Sequence, residues 1–321
     1  MFRVLDVMRN ETGFLVRDGE LRFEASDVQH DYILIPAFFN AHTHIGDSFI
    51  EAPPMPLEKL VGPEGYKFRK LQEADGNEIV EGMRRSIDMI KKTSSTSLEF
   101  REEGLEGFRL YLMADRERIL LALSRPSSAE EAEKLSEVSH GFNFSSVRDH
   151  DYSLLEECRE MARRKRLIFA IHAGEMDSND VEGALALEPD FVVHMNMAER
   201  DQLIQTMDEG IYIVSCFRSN AFFNVFRKEA YTMLSDYEKW MIGTDNAMIA
   251  TPSMLDELKF ASYFIDPERL FRAAVRNPFF ESYMLIKPEK MRGRGNVIPS
   301  VIRRAESCDV VEIIREKIKF S

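Results

Sequence analysis

The chain has 321 residues, of which 44% are hydrophobic and 30% charged, with a formal net charge of -13. That length and apolar fraction suit one large α/β barrel with additions and argue against wholesale disorder. The acidic balance disfavours binding to nucleic-acid backbone, which needs a basic footprint, yet leaves a small nucleobase or nucleoside open as substrate.

Three scattered cysteines, Cys158, Cys216 and Cys308, include no CxxC pair, so neither a disulfide framework nor a thiolate zinc site is expected. The first residues, MFRVLDVMRNETGF, lack the apolar core of a signal peptide. No run approaches the roughly 20 apolar residues that span a bilayer. The expectation is a soluble, cytoplasmic protein with a small-molecule substrate, no nucleic-acid polymer and no membrane as partner; self-association stays open.

In chain order, FRVLDV, GFLVRDG, ELRFEA and YILI read as short strands, with RDGE (17–20) a hairpin turn in which Gly19 tolerates positive φ. Thirty-odd residues bury little by themselves. The tail offers partners in GNVIPSVIRR and SCDVVEIIREKIKF, so the two ends are expected to meet in a small β-sandwich, 1–34 with 289–321, flanking a barrel of 35–288. The centre alternates. Candidate strands are ILIPAFF (33–39), SSTSLEF (94–100), ILLALS (119–124), GFNFSS (141–146), LIFAIH (167–172), FVVHM (191–195), IYIVSC (211–216) and WMIGTD (240–245). Between them, Ile79, Met83, Ile87 and Ile90, then Leu154, Leu155, Cys158 and Met161, recur at helical spacing. Eight strands with intervening helices fit a (β/α)8 TIM barrel. The proline-rich stretch 50–68 is too long for a tight turn; it reads as a loop arching over the barrel mouth, or as a rigid surface loop. Asp266-Pro267 breaks the late helical pattern, with Pro267 opening a second helix.

Chemistry concentrates at the strand ends. His42 and His44 lie one residue apart, so on a strand they share a face. His172 ends the LIFAIH strand, His194 ends FVVHM, and Asp245 follows IGT. In a parallel barrel these positions gather around one mouth, and imidazoles with a carboxylate suit Zn²⁺ or another borderline divalent ion. Glu175 stands three residues past His172 and is placed to move protons between water and a leaving group; the alternative is an acid at the start of a helix capped by Ser178 or Asn179.

HTH, HAGE, a histidine on the sixth strand and GTD on the eighth resemble the amidohydrolase superfamily, in its metal-dependent deaminase branch. PAFFNAHTH is similar to that superfamily's PGFxNxHTH opening, and HAGE is similar to the tetrapeptide of adenosine deaminases. The overall layout resembles the cytosine, guanine and S-adenosylhomocysteine deaminases, whose barrel is flanked by a sandwich from both chain ends. The resemblance implies that His42, His44, His172 and Asp245 hold the metal. It implies that Glu175 protonates a ring nitrogen of the substrate, that His194 orients water or polarises the substrate, and that Asp245 also takes a proton. The implied reaction is hydrolytic removal of an amino group as ammonia from an aminated heterocycle by metal-activated water. The same fold also serves cyclic amidases and chlorohydrolases, and a non-catalytic binding protein is the alternative of another class. The third and fourth strands offer no lysine or glutamate to bridge two ions, so one divalent ion per chain is expected, Zn²⁺ first and Fe²⁺ as the alternative.

The chain departs from the family's HCPxSN near the seventh strand, reading SCFRSN (215–220). Arg218 is a candidate for an acidic substrate group, or else a salt-bridge partner, and Ser219 and Asn220 are candidates for polar contacts to substrate or loop. FFNVF (222–226) walls an aromatic pocket or packs core, and Cys216 reads as packing. No GxGxxG or P-loop appears, so nucleotide-cofactor chemistry has no support.

Overall fold

A computed structural model describes residues 1–62, 64–291 and 296–320. Among these residues the strands form two sheets. The larger has nine parallel segments: Asn40–His44, Ser97–Arg101, Leu121–Ser124, Gly141–Phe144, Ile168–Ala173, Phe191–His194, Tyr212–Ser215, Trp240–Ile242 and Asp245–Asn246. The last two are consecutive halves of one strand position. Trp240–Ile242 pairs with Tyr212–Ser215, whereas Asp245–Asn246 pairs with Asn40–His44, so the sheet curls back onto its first strand. Gly243 N donates to Ser215 O at 3.0 Å and Thr244 N to His42 O at 2.9 Å across that seam. A Cβ on Gly243 would stand 2.6 Å from the His42 Cβ, so only glycine lets the closing strand approach the HTH strand. The result is an α/β, TIM-barrel-like architecture.

Helices return the chain between strands. Gly76–Thr93 buries Ile79, Met83, Ile87 and Ile90, and the Asp75 side chain caps its first turn. Tyr152–Lys165 buries Leu155, Cys158 and Met161. Pro267–Ala274 starts at the expected proline and is capped by Asp266. The barrel strands are buried along their length because helices cover the outside and side chains fill the inside.

The smaller sheet draws on both chain ends, in the order Val310–Ile314, Tyr283–Ile286, Tyr32–Pro36, Phe2–Asp6, Glu11–Asp18, Glu20–Ala25, Lys319–Phe320. Gly19, at φ 73°, makes the turn between Glu11–Asp18 and Glu20–Ala25. Two expectations are corrected here. The apolar run at 33–39 is not the first barrel strand. Tyr32–Pro36 belongs to the terminal sheet, parallel to Phe2–Asp6 and antiparallel to Tyr283–Ile286. Its continuous hydrophobicity arises because Ile33 and Ile35 face the main core while Leu34 faces the terminal core. Pro36 ends the strand, and the first barrel strand is NAHTH itself. Likewise, GNVIPSVIRR supplies no strand. Ile298–Arg304 is a helix, with Pro299 in its first turn and Asn296 Oδ1 accepting from Ile298 N at 3.0 Å; Gly295 lies outside the described residues. Among the described residues no helix is long and apolar enough to cross a membrane.

Candidate metal centre and active site

The strand NAHTH places His42 and His44 side by side, their ring centroids 4.7 Å apart. His172, near the end of Ile168–Ala173, brings its Nε2 to 3.2 Å from His42 Nε2 and 3.4 Å from His44 Nε2. Asp245 opens the last segment of the barrel, and its Oδ1 lies 3.1 Å from His42 Nε2 and 3.7 Å from His44 Nε2. One donor atom from each of these four buried residues falls within 4.8 Å of the others. His194 and Asp245 both adopt left-handed backbone, φ 78° and 60°, where a non-glycine residue is strained; such strain gathers at functional strand ends.

The donors fit a divalent cation. Burial pushes all three imidazoles below their ordinary range, furthest for His44 and His172, so each offers a lone pair and not a charge. His172 directs Nδ1 to the Phe144 carbonyl at 2.9 Å, which assigns the N–H there and leaves Nε2 as the lone-pair end facing the cluster. Burial opposes the Asp245 anion, but the hydrogen bond to His42, the neighbouring His194 and the Ser219 hydroxyl hold its carboxyl below the usual carboxylate range. Three imidazoles and one carboxylate, converging from separate strands, form a donor set suited to a divalent cation.

Glu175 and His194 stand beside this cluster and, with Asp245, form a second convergent group. Gly174, at φ 64°, turns HAGE so that Glu175 enters the cavity. Glu175 Oε1 lies 3.5 Å from His194 Nε2. Burial raises the Glu175 carboxyl to about 7, against the pull of His194. The helix-start alternative for Glu175 does not hold: the helix is Val181–Leu185, preceded by Asp180, and neither Ser178 nor Asn179 caps it. Asp180 instead accepts from Gly174 N at 2.9 Å, bracing the HAGE turn.

In the SCFRSN segment the salt-bridge alternative for Arg218 is the one seen. Arg218 does not line the cavity. Its Nε meets the buried Glu257 at 2.5 Å and its Nη2 meets Thr251 O at 2.7 Å, so its fork is occupied by protein. Ser219 Oγ donates to Asp245 Oδ2 at 2.5 Å, and Asn220 Oδ1 meets His194 Nδ1 at 3.0 Å. Asn220 in turn donates to the Tyr231 hydroxyl at 2.7 Å, which fixes its amide. Both therefore hold site residues, Asp245 and His194. Cys216 is buried packing, as expected, and burial pushes its thiol well up. Phe226 of FFNVF stacks with Phe217, Tyr231 and Phe264, which is core packing.

The cavity above the cluster measures about 230 Å³ and joins a second lobe of about 410 Å³ through shared residues including Val61, His172 and Glu175. Sequence reasoning missed its far wall. Lys67, 2% exposed, meets Glu102 Oε2 at 2.8 Å and Asn246 Oδ1 at 3.1 Å. Glu102 Oε1 lies 3.5 Å from His44 Nδ1 and 3.3 Å from Arg125 Nη2, so the carboxylate stands beside a candidate ligand and joins two cations. The visible signal was the charge run EFREE (99–103) at a strand end. Lys67, in a helix of pattern YKFRK, looked like any surface lysine. The stretch 50–68 does border the mouth: Val61, Lys67 and Phe68 line the cavity, with Pro63 outside the described residues.

The comparisons with known proteins agree with this geometry. The amidohydrolase family model matches residues 33–281, so the chain belongs to the amidohydrolase family. That membership supports a hydrolase acting on carbon–nitrogen bonds. It is 44% identical over 305 residues to a "putative aminohydrolase" of Archaeoglobus fulgidus, covering 92% of this chain and 90% of the relative. Among solved structures, an adenosine deaminase from Xanthomonas campestris with bound zinc superposes with a TM-score of 0.70 at 17% identity, covering 89% of this chain and 80% of that one. The atrazine chlorohydrolase TrzN from Arthrobacter aurescens TC1, complexed with zinc, gives 0.71 at 12% identity, covering 98% and 95%.

Proposed function

We propose that the protein is a hydrolytic deaminase that releases ammonia from an aminated heterocycle such as a nucleobase, nucleoside or related compound. One observation carries the reading: Glu175 faces His194 across the same cavity into which His42, His44, His172 and Asp245 converge. A single divalent ion held by those four residues, Zn²⁺ before Fe²⁺, would supply the Lewis acidity that makes water nucleophilic near neutral pH.

The chain's own residues carry the proton traffic. Glu175, raised to about 7, is available in its protonated form near neutral pH, and that form delivers its proton to the ring nitrogen next to the amino-bearing carbon. Asp245, kept ionised and held by Ser219, accepts a proton from the attacking water as the water oxygen bonds to that carbon. His194 directs Nε2 at the reacting centre because Asn220 occupies its Nδ1. The adduct carries hydroxyl and amino groups on one carbon. Its C–N bond breaks as the Asp245 proton passes to the leaving nitrogen, giving ammonia. The hydroxyl proton returns to Glu175 as the carbonyl forms, which restores both carboxyl groups.

The zinc-bearing chlorohydrolase of similar fold keeps a second reading in view, hydrolysis of another C–N or a C–Cl bond by the same cluster. A non-catalytic binding role fits poorly with an intact set of Glu175, His194 and Asp245 in one cavity. Around this chemistry we place a small terminal sandwich made from 1–34 and 289–321, supported by the apolar cluster of Val4, Leu15, Phe23, Leu34 and Ile314, and a barrel of 35–288 to which Tyr283–Ile286 ties it. The acidic net charge supports small molecules and not a nucleic-acid polymer as partner. The test is ammonia release from aminopurines, aminopyrimidines, pterins and their nucleosides. Metal-dependent cleavage of cyclic amides or chlorinated rings, with no ammonia from any amine, would transfer the assignment to the second reading.

A further inference from the structure

Two non-histidine cations line the inner cavity among the described residues, and they differ in what they have left to offer. Lys67 is spent: Glu102, Asn246 and, at 3.4 Å, Asp47 surround its ammonium. Arg125 is not. Among the described residues, of its five N–H donors only those on Nη2 meet an acceptor, Glu102 Oε1 at 3.3 Å, and its buried Nε has no partner. Glu102 is shared between the two cations and Asp47 also stands against Lys67, so Arg125 has no carboxylate of its own. The Arg125 side chain is only 12% exposed, and a guanidinium so enclosed with open donors is costly unless something arrives to meet them. Its neighbours on the wall do not. Ser145 donates to Asp149 at 2.7 Å and meets His150 Nε2 at 3.1 Å, and burial, helped by Arg125, pushes the His150 imidazole down to about 4, so it adds no charge at neutral pH.

We propose that Arg125 is a substrate-anchoring residue that takes a carboxylate carried by the aminated heterocycle, held in the planar guanidinium fork while the amino-bearing carbon lies against His172 and Glu175. A monoanion asks for one guanidinium fork, which Arg125 supplies. A phosphate dianion is disfavoured, with Asp149 and Glu102 lining the same small lobe. Lys67 and Asn246 act behind the subsite by fixing Glu102, which sets where the Arg125 fork points. The proposal rests on this cavity being the substrate site.

The experiment is calorimetric binding of uracil and of its 5- and 6-carboxylates to the metal-loaded protein and to the Arg125→Ala and Arg125→Lys variants. These rings carry an oxo group where a deamination product would. At least one carboxylate should bind about tenfold more tightly than uracil, that preference should collapse in Arg125→Ala, and Arg125→Lys should keep part of it. Arg125→Gln replaces the alanine variant if the latter loses its unfolding midpoint or metal content. Equal binding of acid and neutral rings by wild type, or a preference that survives removal of the guanidinium, overturns the subsite. Ammonia release is scored separately. Arg125-dependent acid binding without ammonia from any amine leaves the subsite standing and removes the deaminase reading; ammonia without acid preference does the reverse.

Discussion

The two walls of the cavity are built on different principles. One is made of neutral imidazoles and a carboxylate fixed at the ends of hydrogen-bonded strands, with Thr244 N on His42 O holding the closing segment in register. The other is made of full charges, Lys67, Glu102 and Arg125, brought from the segment after the first strand and from the ends of the second and third. The first wall has lone pairs to give. The second is an ion network whose geometry depends on every member. Damage to the first should therefore erase chemistry and leave the fold, whereas damage to the second should cost stability as well as substrate handling.

The largest effect is expected on the first wall. His172→Ala or Asp245→Asn removes one of four donors, and both metal content and turnover should fall to background while circular dichroism stays native. Glu175→Gln comes next. It keeps shape and metal but cannot give up a proton, so kcat should drop by roughly 10²–10⁴ with elemental analysis unchanged. An unchanged kcat in that variant sinks the shuttle role. On the second wall, Lys67→Met leaves Asp47 buried without its cation and Glu102 with Arg125 alone. Chemical denaturation should show a loss of about 3 kcal/mol, and turnover should fall less than in Glu175→Gln. The smallest effect sharpens the contrast. Ser219→Ala removes only the hydroxyl that orients Asp245, and metal affinity should weaken roughly tenfold in a chelator titration, with stability nearly intact.

The same division explains what could be read from the sequence. His42, His44, His172, His194 and Asp245 were legible because strand ends in a parallel barrel face one mouth, and histidine is rare enough in this chain to stand out. Glu175 followed from its place in HAGE. Lys67 was illegible because its burial is decided by Glu102, 35 positions away, and not by its helical neighbours. Arg218 stayed open between substrate and salt bridge for a related reason: its partner, Glu257, comes from a helix beyond the eighth strand, so local sequence could not choose between them. The run 33–39 misled because a strand between two cores is apolar on both faces, which is also the pattern of an inner barrel strand. In IPSVIRR the proline that starts a helix was outweighed by β-branched residues that favour strands.

The most direct measurement is titration of metal-free protein with Zn²⁺ while activity and bound metal are followed together. Activity should rise linearly and level off at one equivalent per chain. A requirement for two equivalents, or full activity with none, would contradict the single four-donor centre.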